Sequence, residues 1–336
     1  MRILAMTITE IAELAGVSIG TVDRVIHKRG RVSAKTVAKV EKIIKSSGFT
    51  PNPIARQLAL KKDFVVGILL PLKTDDAGYW ELIFDGIEKA CEELKPFSIK
   101  LAVKNFDRKK NGDFTAKAEA LSKIKIDALI TAPVIAEEAS KALKFFSDIP
   151  YVFVDSSLPE GKQLTTVAQN PYASGVCAAR LMKLIVPDAE KIVCVQMYPD
   201  SYNLKERARG FTEFFKEKNV INVAGNCNTK SETDSFIKSI IAKKPDGIFV
   251  SNNASFSFVE YCRAHNIKKK FALIGYDLMK QNKKFLAEDF IDCIISQQPE
   301  QQGYEAVKAI YRHSLINEKV NKTMKIPITI YFKENI

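Results

Sequence analysis

The sequence has little of what disulfide-bonded proteins, metalloproteins and enzymes usually carry. Its six cysteines stand singly, with no C-x-x-C pair, and only three histidines occur in 336 residues. Scattered cysteines are typical of buried, reduced thiols, which argues against a disulfide framework or a metal site. The H-E-x-x-H, Walker and G-x-G-x-x-G patterns are missing as well. We therefore predict no catalytic residues, no cofactor and no metal, and hence a protein that is not an enzyme.

Long apolar runs are also missing. No stretch approaches the roughly 20 apolar residues that a membrane-spanning helix needs. The first six residues, MRILAM, are too short and too weakly apolar for a secretory signal. We therefore expect a cytoplasmic chain with no membrane partner, and the sequence leaves open whether it starts at Met1 or Met6.

Positive charge is concentrated near the N-terminus. Residues 1–62 contain 12 lysines and arginines against 4 acidic residues, which gives +8 of the chain's net charge of +12. A basic module on a nearly balanced body is typical of a domain that binds a polyanion. Exposed lysines are common on ordinary surfaces, so the pattern within the module has to decide.

Local signals in residues 7–30 predict two short helices joined by a tight turn. Thr7 and Glu10 have the spacing of a capping box, which marks the start of the first helix. Gly16 suits the left-handed residue that ends a helix, and Ser18 can cap the helix that follows.

The second of these helices has two different faces. Its apolar residues share the face that packs inward: Val22, Val25 and Ile26. The opposite face carries Gly20, Arg24 and His27, with Asp23 at its edge, and leaves room for a partner to approach closely. With a third helix over residues 33–48, the pattern predicts a helix-turn-helix whose second helix enters the major groove of DNA. The alternative is an ordinary three-helix bundle with a basic surface.

Residues 51–62, PNPIARQLALKK, predict one more short helix, beginning at Asn52-Pro53. About two turns are too few for a helix that is stable alone, since roughly 12–15 residues are needed. We expect it to fold against the same helix of a second subunit and against the minor groove, where an aliphatic side chain can wedge between base pairs. A frayed linker is the alternative.

The stretch ITEIAELAGVSIGTVDRVIHKRGRVSAKTVAKVEKIIKSSGFTPNPIARQLA, residues 8–59, resembles the DNA-binding head and hinge of the lactose/galactose repressor (LacI/GalR) family. The resemblance implies a dimeric bacterial transcription regulator that binds a palindromic operator. It also implies a recognition helix in the major groove and hinge helices against the minor groove.

We predict nine DNA-contacting residues: Ser18, Ile19, Gly20, Thr21, Asp23, Arg24, His27, Ala55 and Leu58. The resemblance implies base-edge contacts for Ile19, Gly20 and Arg24, phosphate contacts for Ser18 and Thr21, and a minor-groove wedge for Leu58. Asp23 stands where the family usually has serine. It either accepts a hydrogen bond from a cytosine amino group or orients Arg24.

After residue 63 short apolar runs alternate with helical stretches. The runs are FVVGILLP (64–71), IDALITAP (126–133), PYVFVD (150–155), KIVCVQM (191–197), DGIFVSN (246–252) and FALIGYD (271–277). Continuous apolar strands that alternate with helices indicate parallel sheets covered on both faces. We therefore predict a small all-α helix-turn-helix head followed by an α/β body of two doubly wound parallel-sheet lobes.

The predicted domains are a helix-turn-helix domain over 6–50, a hinge over 51–62 and an effector-binding and dimerisation domain over 63–336. In the last of these we assign 63–166 and 298–318 to lobe one. Lobe two takes 167–297 and 319–336.

Polar and aromatic side chains follow several of the strands. We predict that seven of them bind an effector: Tyr79, Trp80, Asp155, Arg207, Asn252, Asp277 and Gln297. Ligands bind at the carboxyl ends of parallel strands, and carboxylates, amides and a guanidinium with aromatic rings suit a sugar. Taken singly, each has a simpler explanation, such as a helix cap or a core residue.

Residues 64–330 resemble the ribose-type periplasmic sugar-binding proteins, and the same seven residues fall on that family's ligand contacts. Gln169 and Asn170 are weaker candidates at a crossover between lobes. Ser156 and Ala77 replace an arginine and an asparagine of the ribose binders, so we expect a ligand other than ribose. The main prediction is a sugar-controlled transcriptional regulator, most simply a repressor, and the alternative is a solute-binding protein that delivers a sugar to a transporter.

Overall fold

The computed structural model describes residues 6–26, 28–47, 49, 63–158, 160–197, 201–216, 220–225 and 227–336. The chain divides into two compact units, Met1–Leu60 and Lys61–Ile336, which we call the head and the body. Three of the predicted DNA contacts, His27, Ala55 and Leu58, lie outside the described residues, as does the predicted hinge over 51–62.

The head contains three described helices, α1 (Ile8–Ala15), α2 (Ile19–Ile26) and α3 (Ala34–Ser47). Thr7 and Glu10 form the predicted capping box, because each side chain accepts from the other residue's backbone N–H. Gly16 ends α1 with φ 64°, a left-handed conformation that glycine adopts at little cost.

The inner faces of the three helices form one small core. Its buried members are Ile11, Ala12, Ala15, Val22, Val25 and Val40. The core leaves the opposite face of α2 outside, and Ser18 accepts from the backbone N–H of Thr21 at 3.2 Å in the first turn. A helix-turn-helix with an exposed second helix is therefore present, as the sequence predicts.

The first lobe of the body is built on a six-stranded parallel sheet. In spatial order its strands are β11 (Thr323–Ile326), β5 (Thr165–Gln169), β4 (Tyr151–Val154), β3 (Ala128–Thr131), β1 (Phe64–Pro71) and β2 (Ile99–Phe106). The helices of this lobe are α4 (Tyr79–Glu93), α5 (Asp113–Ser122), α6 (Ala136–Ala142) and α12 (Pro299–Ile310). Apolar side chains form a core on each face of the sheet, which explains why the central strands are apolar throughout.

The second lobe repeats this plan with a second six-stranded sheet. Its strands in spatial order are β12 (Thr329–Tyr331), β10 (Cys293–Ser296), β9 (Ala272–Tyr276), β8 (Gly247–Val250), β6 (Ile192–Met197) and β7 (Val220–Gly225). Its helices are α7 (Pro171–Ile185), α8 (Tyr202–Phe214), α9 (Lys230–Ile241), α10 (Ser255–Ala264) and α11 (Lys280–Ala287). Only β12 runs antiparallel to its neighbour in this sheet.

The lobe boundaries differ from the predicted ones near the C-terminus. We assigned 319–336 to lobe two, but β11 pairs with β5 in the sheet of lobe one, and β5 itself continues to Gln169. The run MKIPITIY looks continuous in sequence. Pro327 interrupts it because proline lacks the N–H that a ladder needs, and the chain changes sheets there. The lobes are thus joined by three crossovers, at residues 169–171, 296–299 and 326–329.

Two pairs of helices pack closely through glycine. A Cβ added to Gly86 on α4 would lie 1.9 Å from the Glu300 oxygen, and one on Gly303 of α12 would lie 2.0 Å from the Ile83 oxygen. In lobe two, a Cβ added to Gly175 on α7 would lie 2.0 Å from the backbone oxygen of Arg207 on α8. Only glycine permits such approach, so these contacts fix where α12 and α8 present their side chains.

All six cysteines lie within the described residues and none forms a disulfide, and four of them are buried. Within the described ranges, no helix has the length and apolarity that crossing a membrane requires.

Candidate DNA-binding surface and effector cavity

The exposed face of α2 carries six of the nine predicted DNA contacts. Ser18, Ile19, Gly20 and Arg24 are exposed, and Thr21 and Asp23 are half-buried. Ile19 leaves 48% of its surface in contact with solvent at the start of the helix. An exposed isoleucine beside a glycine and an arginine gives a shallow surface that a base edge can approach.

Asp23 has a partner that the sequence analysis did not consider. Its Oδ2 lies 3.2 Å from Nη1 of Arg29, in the loop between α2 and α3. We had expected it to accept from a cytosine or to orient Arg24. Both side chains of the observed pair are more than one third exposed, so the pair adds little stability. Its effect is to place a guanidinium beside the exposed face of α2.

In the body, a cavity of about 50 Å³ lies between the two lobes. All seven predicted effector residues line it. Seven further lining residues were not predicted: Asp76, Arg108, Val134, Ser201, Asn203, Leu204 and Asn253. The carboxyl ends of the strands thus bring together residues that are far apart in sequence, as the doubly wound topology requires.

Lobe one contributes an acidic and aromatic wall. Tyr79 and Trp80 begin α4, and their rings meet edge to face with centroids 5.2 Å apart. The Tyr79 hydroxyl donates to Oδ1 of Asp155 at 2.9 Å, and the Trp80 indole donates to Oδ2 of Asp76 at 2.7 Å. Arg108 also donates to Asp76. Burial raises the pKa of Asp155 and, more strongly, that of Tyr79.

Lobe two contributes a wall built around one buried arginine. Arg207 is only 2% exposed, and its guanidinium lies 4.0 Å over the Tyr276 ring. It donates to the Ser251 carbonyl at 2.9 Å and to Oε1 of Gln297 at 2.6 Å. Gln297 in turn donates its backbone and side-chain N–H groups to the two oxygens of Asp277, at 3.1 and 2.9 Å.

Asp277 experiences two opposing effects in this wall. Burial, the larger effect, disfavours its charged form, whereas Arg207 and the Gln297 bonds favour it. The result is a pKa raised to about 6. Asp277 therefore changes its charge near physiological pH, unlike an ordinary surface aspartate.

Two polar atoms of cavity-lining residues have no partner among the described groups. They are Nε of Arg207, a donor, and Oδ1 of Asn252, an acceptor. A buried donor or acceptor without a partner costs free energy. A hydroxyl group both donates and accepts, so one hydroxyl-bearing ligand can satisfy both types of atom.

Gln302 connects the two walls from behind the cavity. It is completely buried on α12 and accepts the backbone N–H of Asp155 at 2.7 Å. Its amide donates to the Gln297 carbonyl at 2.9 Å. Asp155 has a left-handed backbone, φ 63°, which this bond helps to hold. No signal in the sequence distinguished Gln302 from its neighbours on α12.

Two family models match consecutive parts of the chain. Residues 7–52 match the model described as bacterial regulatory proteins, lacI family, and residues 66–319 match the periplasmic binding protein domain. The two matches cover the head and most of the body.

Curated relatives of the chain are transcriptional repressors. The HTH-type transcriptional repressor PurR of Vibrio atlanticus is 26% identical over 284 residues, which cover 81% of each chain. The ribose operon repressor of Escherichia coli is 26% identical over 282 residues, covering 81% of this chain and 82% of the repressor. Among solved structures, a proposed LacI transcriptional regulator from Bacteroides fragilis has a TM-score of 0.74 at 25% identity, covering 82% of this chain and 98% of that one.

These matches confirm the predicted head and the predicted two-lobed body in one chain. They favour a regulator over the solute-binding alternative, because the head matches a model of bacterial regulatory proteins and the curated relatives are repressors. The chain therefore belongs to the lacI family of bacterial regulatory proteins, as a DNA-binding transcriptional regulator whose helix-turn-helix head is followed by a periplasmic binding protein domain.

Proposed function

We propose that this regulator represses transcription as a homodimer on a palindromic operator, and that a sugar bound in the cavity controls its affinity for DNA. The observation that carries the proposal is the composition of the cavity. Carboxylates, amides and a guanidinium surround it beside a tyrosine and a tryptophan, all at the carboxyl ends of parallel strands.

The polar groups of the cavity suit hydroxyl groups. Asp155 and Asp277 accept from hydroxyls, Arg207 donates to them, and Asn252 can do either. Aromatic rings such as Trp80 stack on the C–H face of a sugar ring. The unpartnered atoms of Arg207 and Asn252 add a direct energetic reason for such a ligand. One relative is named as a ribose operon repressor, which is consistent with this class of effector.

The DNA-binding half of the proposal depends on the exposed face of α2. Arg24 can donate two hydrogen bonds to a guanine edge, and Ser18 can donate to a phosphate. A two-fold symmetric operator needs two heads related by the same symmetry, which is why we propose a dimer.

The sugar can control DNA binding only through unequal affinity for two states of the protein. Both lobes contribute to the cavity, so its ligand contacts are complete only when the lobes are together. A sugar therefore favours closure. We propose that closure lowers operator affinity, as in an inducer-controlled repressor.

The experiment uses Trp80, the only tryptophan of the chain, as an internal reporter. Trp80 lines the cavity and is 1% exposed, so its fluorescence should change when a ligand binds beside it. The full-length protein is titrated with D-ribose, D-xylose, D-glucose, D-galactose, sucrose and ribose 5-phosphate. The same titrations are repeated with labelled DNA from upstream of the protein's own gene.

A sugar that changes both the fluorescence and the operator affinity supports the proposal. Sugar binding without any sequence-specific DNA affinity would support the solute-binding alternative. Specific operator binding that none of the six compounds alters would show that the effector belongs to another class.

A further inference from the structure

Two asparagine side chains of lobe two reach across the cleft to lobe one. Nδ2 of Asn203, in the first turn of α8, donates to Oδ2 of Asp155 at 3.1 Å. The side-chain amide of Asn253, just after β8, donates to the backbone carbonyl of Asp76. Both asparagines line the cavity, and neither is among the predicted effector residues.

The orientation of the Asn203 amide is fixed by its own oxygen. Oδ1 accepts from the backbone N–H of Leu204 at 3.1 Å and from the Ser201 hydroxyl. The amide oxygen is thus directed at two donors within its own lobe. Nδ2 is therefore the atom that faces Asp155, where a carboxylate requires a donor.

Asn253 is held in place by a buried framework residue. Asn282 is completely buried and donates to the backbone carbonyls of Asn253, Tyr276 and Asp277, at 2.9, 3.0 and 3.0 Å. Its Oδ1 accepts from the Phe256 N–H at 2.9 Å. The segment that carries Asn253 is therefore tied to the end of β9 and does not need a ligand to hold its shape.

The receiving groups in lobe one are held just as firmly. Asp155 accepts from the Tyr79 hydroxyl and donates its backbone N–H to Gln302. Asp76 and the following Ala77 have left-handed backbones, φ 52° and 55°. The Asp76 carboxylate accepts from Trp80 and Arg108, which stabilise that conformation.

We propose that Asn203 and Asn253 are positioning residues that hold the lobes together through bonds made within the chain itself. Bonds within the chain then contribute to closure of the cleft, and an effector shifts the equilibrium between the open and the closed cleft further toward the closed state. The proposal is independent of which effector the cavity takes.

Acrylamide quenching of Trp80 fluorescence, which reports how accessible the cavity is to solvent, tests this proposal on the full-length protein without added sugar. Asn203→Ala is the decisive variant, because Asn203 binds Asp155 and does not contribute to the Asp76 loop that Trp80 contacts. We expect its quenching constant to be at least threefold that of the unsubstituted protein, and that of the double variant Asn203→Ala/Asn253→Ala to be higher still. Asn203→Asp keeps the size and the acceptor but removes the donor, so its constant should rise at least as much.

Asn228→Ala is the matched control, since Asn228 is an exposed asparagine of lobe two that does not line the effector cavity. Its quenching constant should equal that of the unsubstituted protein. The thermal midpoint of each variant shows that it is folded. A substitution that only lowers the stability of the fold would lower this midpoint and leave the quenching constant of the native state unchanged. The proposal is wrong if Asn203→Ala and Asn203→Asp fold and leave the constant unchanged. It is also wrong if Trp80 of the unsubstituted protein is quenched as readily as in urea.

Discussion

Arg24 and Arg207 show how differently the two parts of this regulator use the same residue type. Arg24 is exposed on α2, and the fold of the head does not require its charge. Arg207 is 2% exposed and donates to Ser251 and Gln297 beneath the cavity. The head can therefore change its target sequence at little cost in stability, whereas a change of effector must preserve a network on which the body depends.

The largest expected effect comes from substituting Arg207, the buried arginine. Arg207→Ala leaves Asp277 and Gln297 without their cation, and removing one partner of a buried charged network costs about 3–5 kcal/mol. We expect that loss in urea unfolding followed by Trp80 fluorescence, together with loss of any response of operator binding to sugar. Operator affinity without sugar should stay nearly unchanged in conditions where the variant is folded.

Arg209→Ala is its control, because Arg209 is the nearby arginine of α8, has an exposed side chain and forms ion pairs with Glu206 and Glu213 at the surface. Exposed pairs contribute at most about 1 kcal/mol. If Arg207→Ala were as stable as Arg209→Ala and still responded to sugar, the assignment of Arg207 to the cavity would be wrong.

The second prediction concerns the pH dependence of body stability. Asp277 has a pKa of about 6 in the folded body, against 3.8 as its ordinary value. The folded state therefore binds more protons between these values, so this group lowers the free energy of unfolding as the pH rises from 4 to 6. The free energy of unfolding of Asp277→Asn, compared with that of the unsubstituted protein, should therefore increase by up to about 3 kcal/mol between pH 4 and pH 7.

The measurement is urea unfolding at several pH values, again followed by Trp80. Asp234→Asn, at a half-buried aspartate of α9 that pairs with Lys230, serves as the comparison variant. A difference between Asp277→Asn and the unsubstituted protein that stays constant from pH 4 to 7 would contradict the raised pKa.

The third prediction addresses the exposed arginine. Arg24→Ala removes a proposed bidentate base contact, which is worth about 1–3 kcal/mol or roughly a 5- to 150-fold loss of operator affinity. Urea unfolding of the chain should change by less than about 0.5 kcal/mol, because the side chain is exposed. Competition with operators substituted at single base pairs should show relaxed specificity at one position of each half-site.

Lys42→Ala, on the exposed side of α3, is a suitable control for loss of positive charge alone. Equal losses of affinity for operator and random DNA in Arg24→Ala would mean that Arg24 contacts phosphate and reads no base.

The smallest expected effect is on sugar affinity. In Asn203→Ala, Oδ2 of Asp155 loses the amide that occupies it and becomes available to a sugar hydroxyl. We expect an approximately two- to fivefold change in the Kd for a sugar found with the Trp80 titration. The direction of the change distinguishes two effects of Asn203. Tighter sugar binding means that the Asn203 amide competes with the sugar for Asp155. Weaker binding means that losing the bond between the lobes has the larger effect.

Local and topological features of the fold were the ones best predicted from the sequence. The Thr7–Glu10 capping box and Gly16 are short-range signals, and they fix α1 and its end without help from the rest of the chain. Residues such as Asp155, Asn252 and Asp277 follow apolar strands, and parallel topology brings the ends of such strands together. All seven predicted residues line one cavity, and the resemblance to the ribose-type sugar-binding proteins implied the same seven.

What the sequence did not indicate depends on contacts between distant segments. β2 is a half-exposed edge strand whose lysines interrupt its apolar pattern, so it was missed, and Arg108 beyond it was missed with it. Gln302 and Asn203 are ordinary polar residues on helices until the neighbouring lobe or crossover supplies their partners. The Asp23–Arg29 pair depends on a loop conformation that spacing does not encode.

The glycine contacts have a mechanical consequence. Because a methyl group at Gly86, Gly303 or Gly175 would collide with a backbone oxygen, the helices in each pair are interlocked and cannot slide past one another. Each lobe therefore moves as a stiff block, and any bending between the blocks falls on the three crossovers. There the amide of Gln169 bonds the carbonyls of Ser296 at 2.9 Å and Pro327 at 3.3 Å, so the three crossovers bend together as one joint.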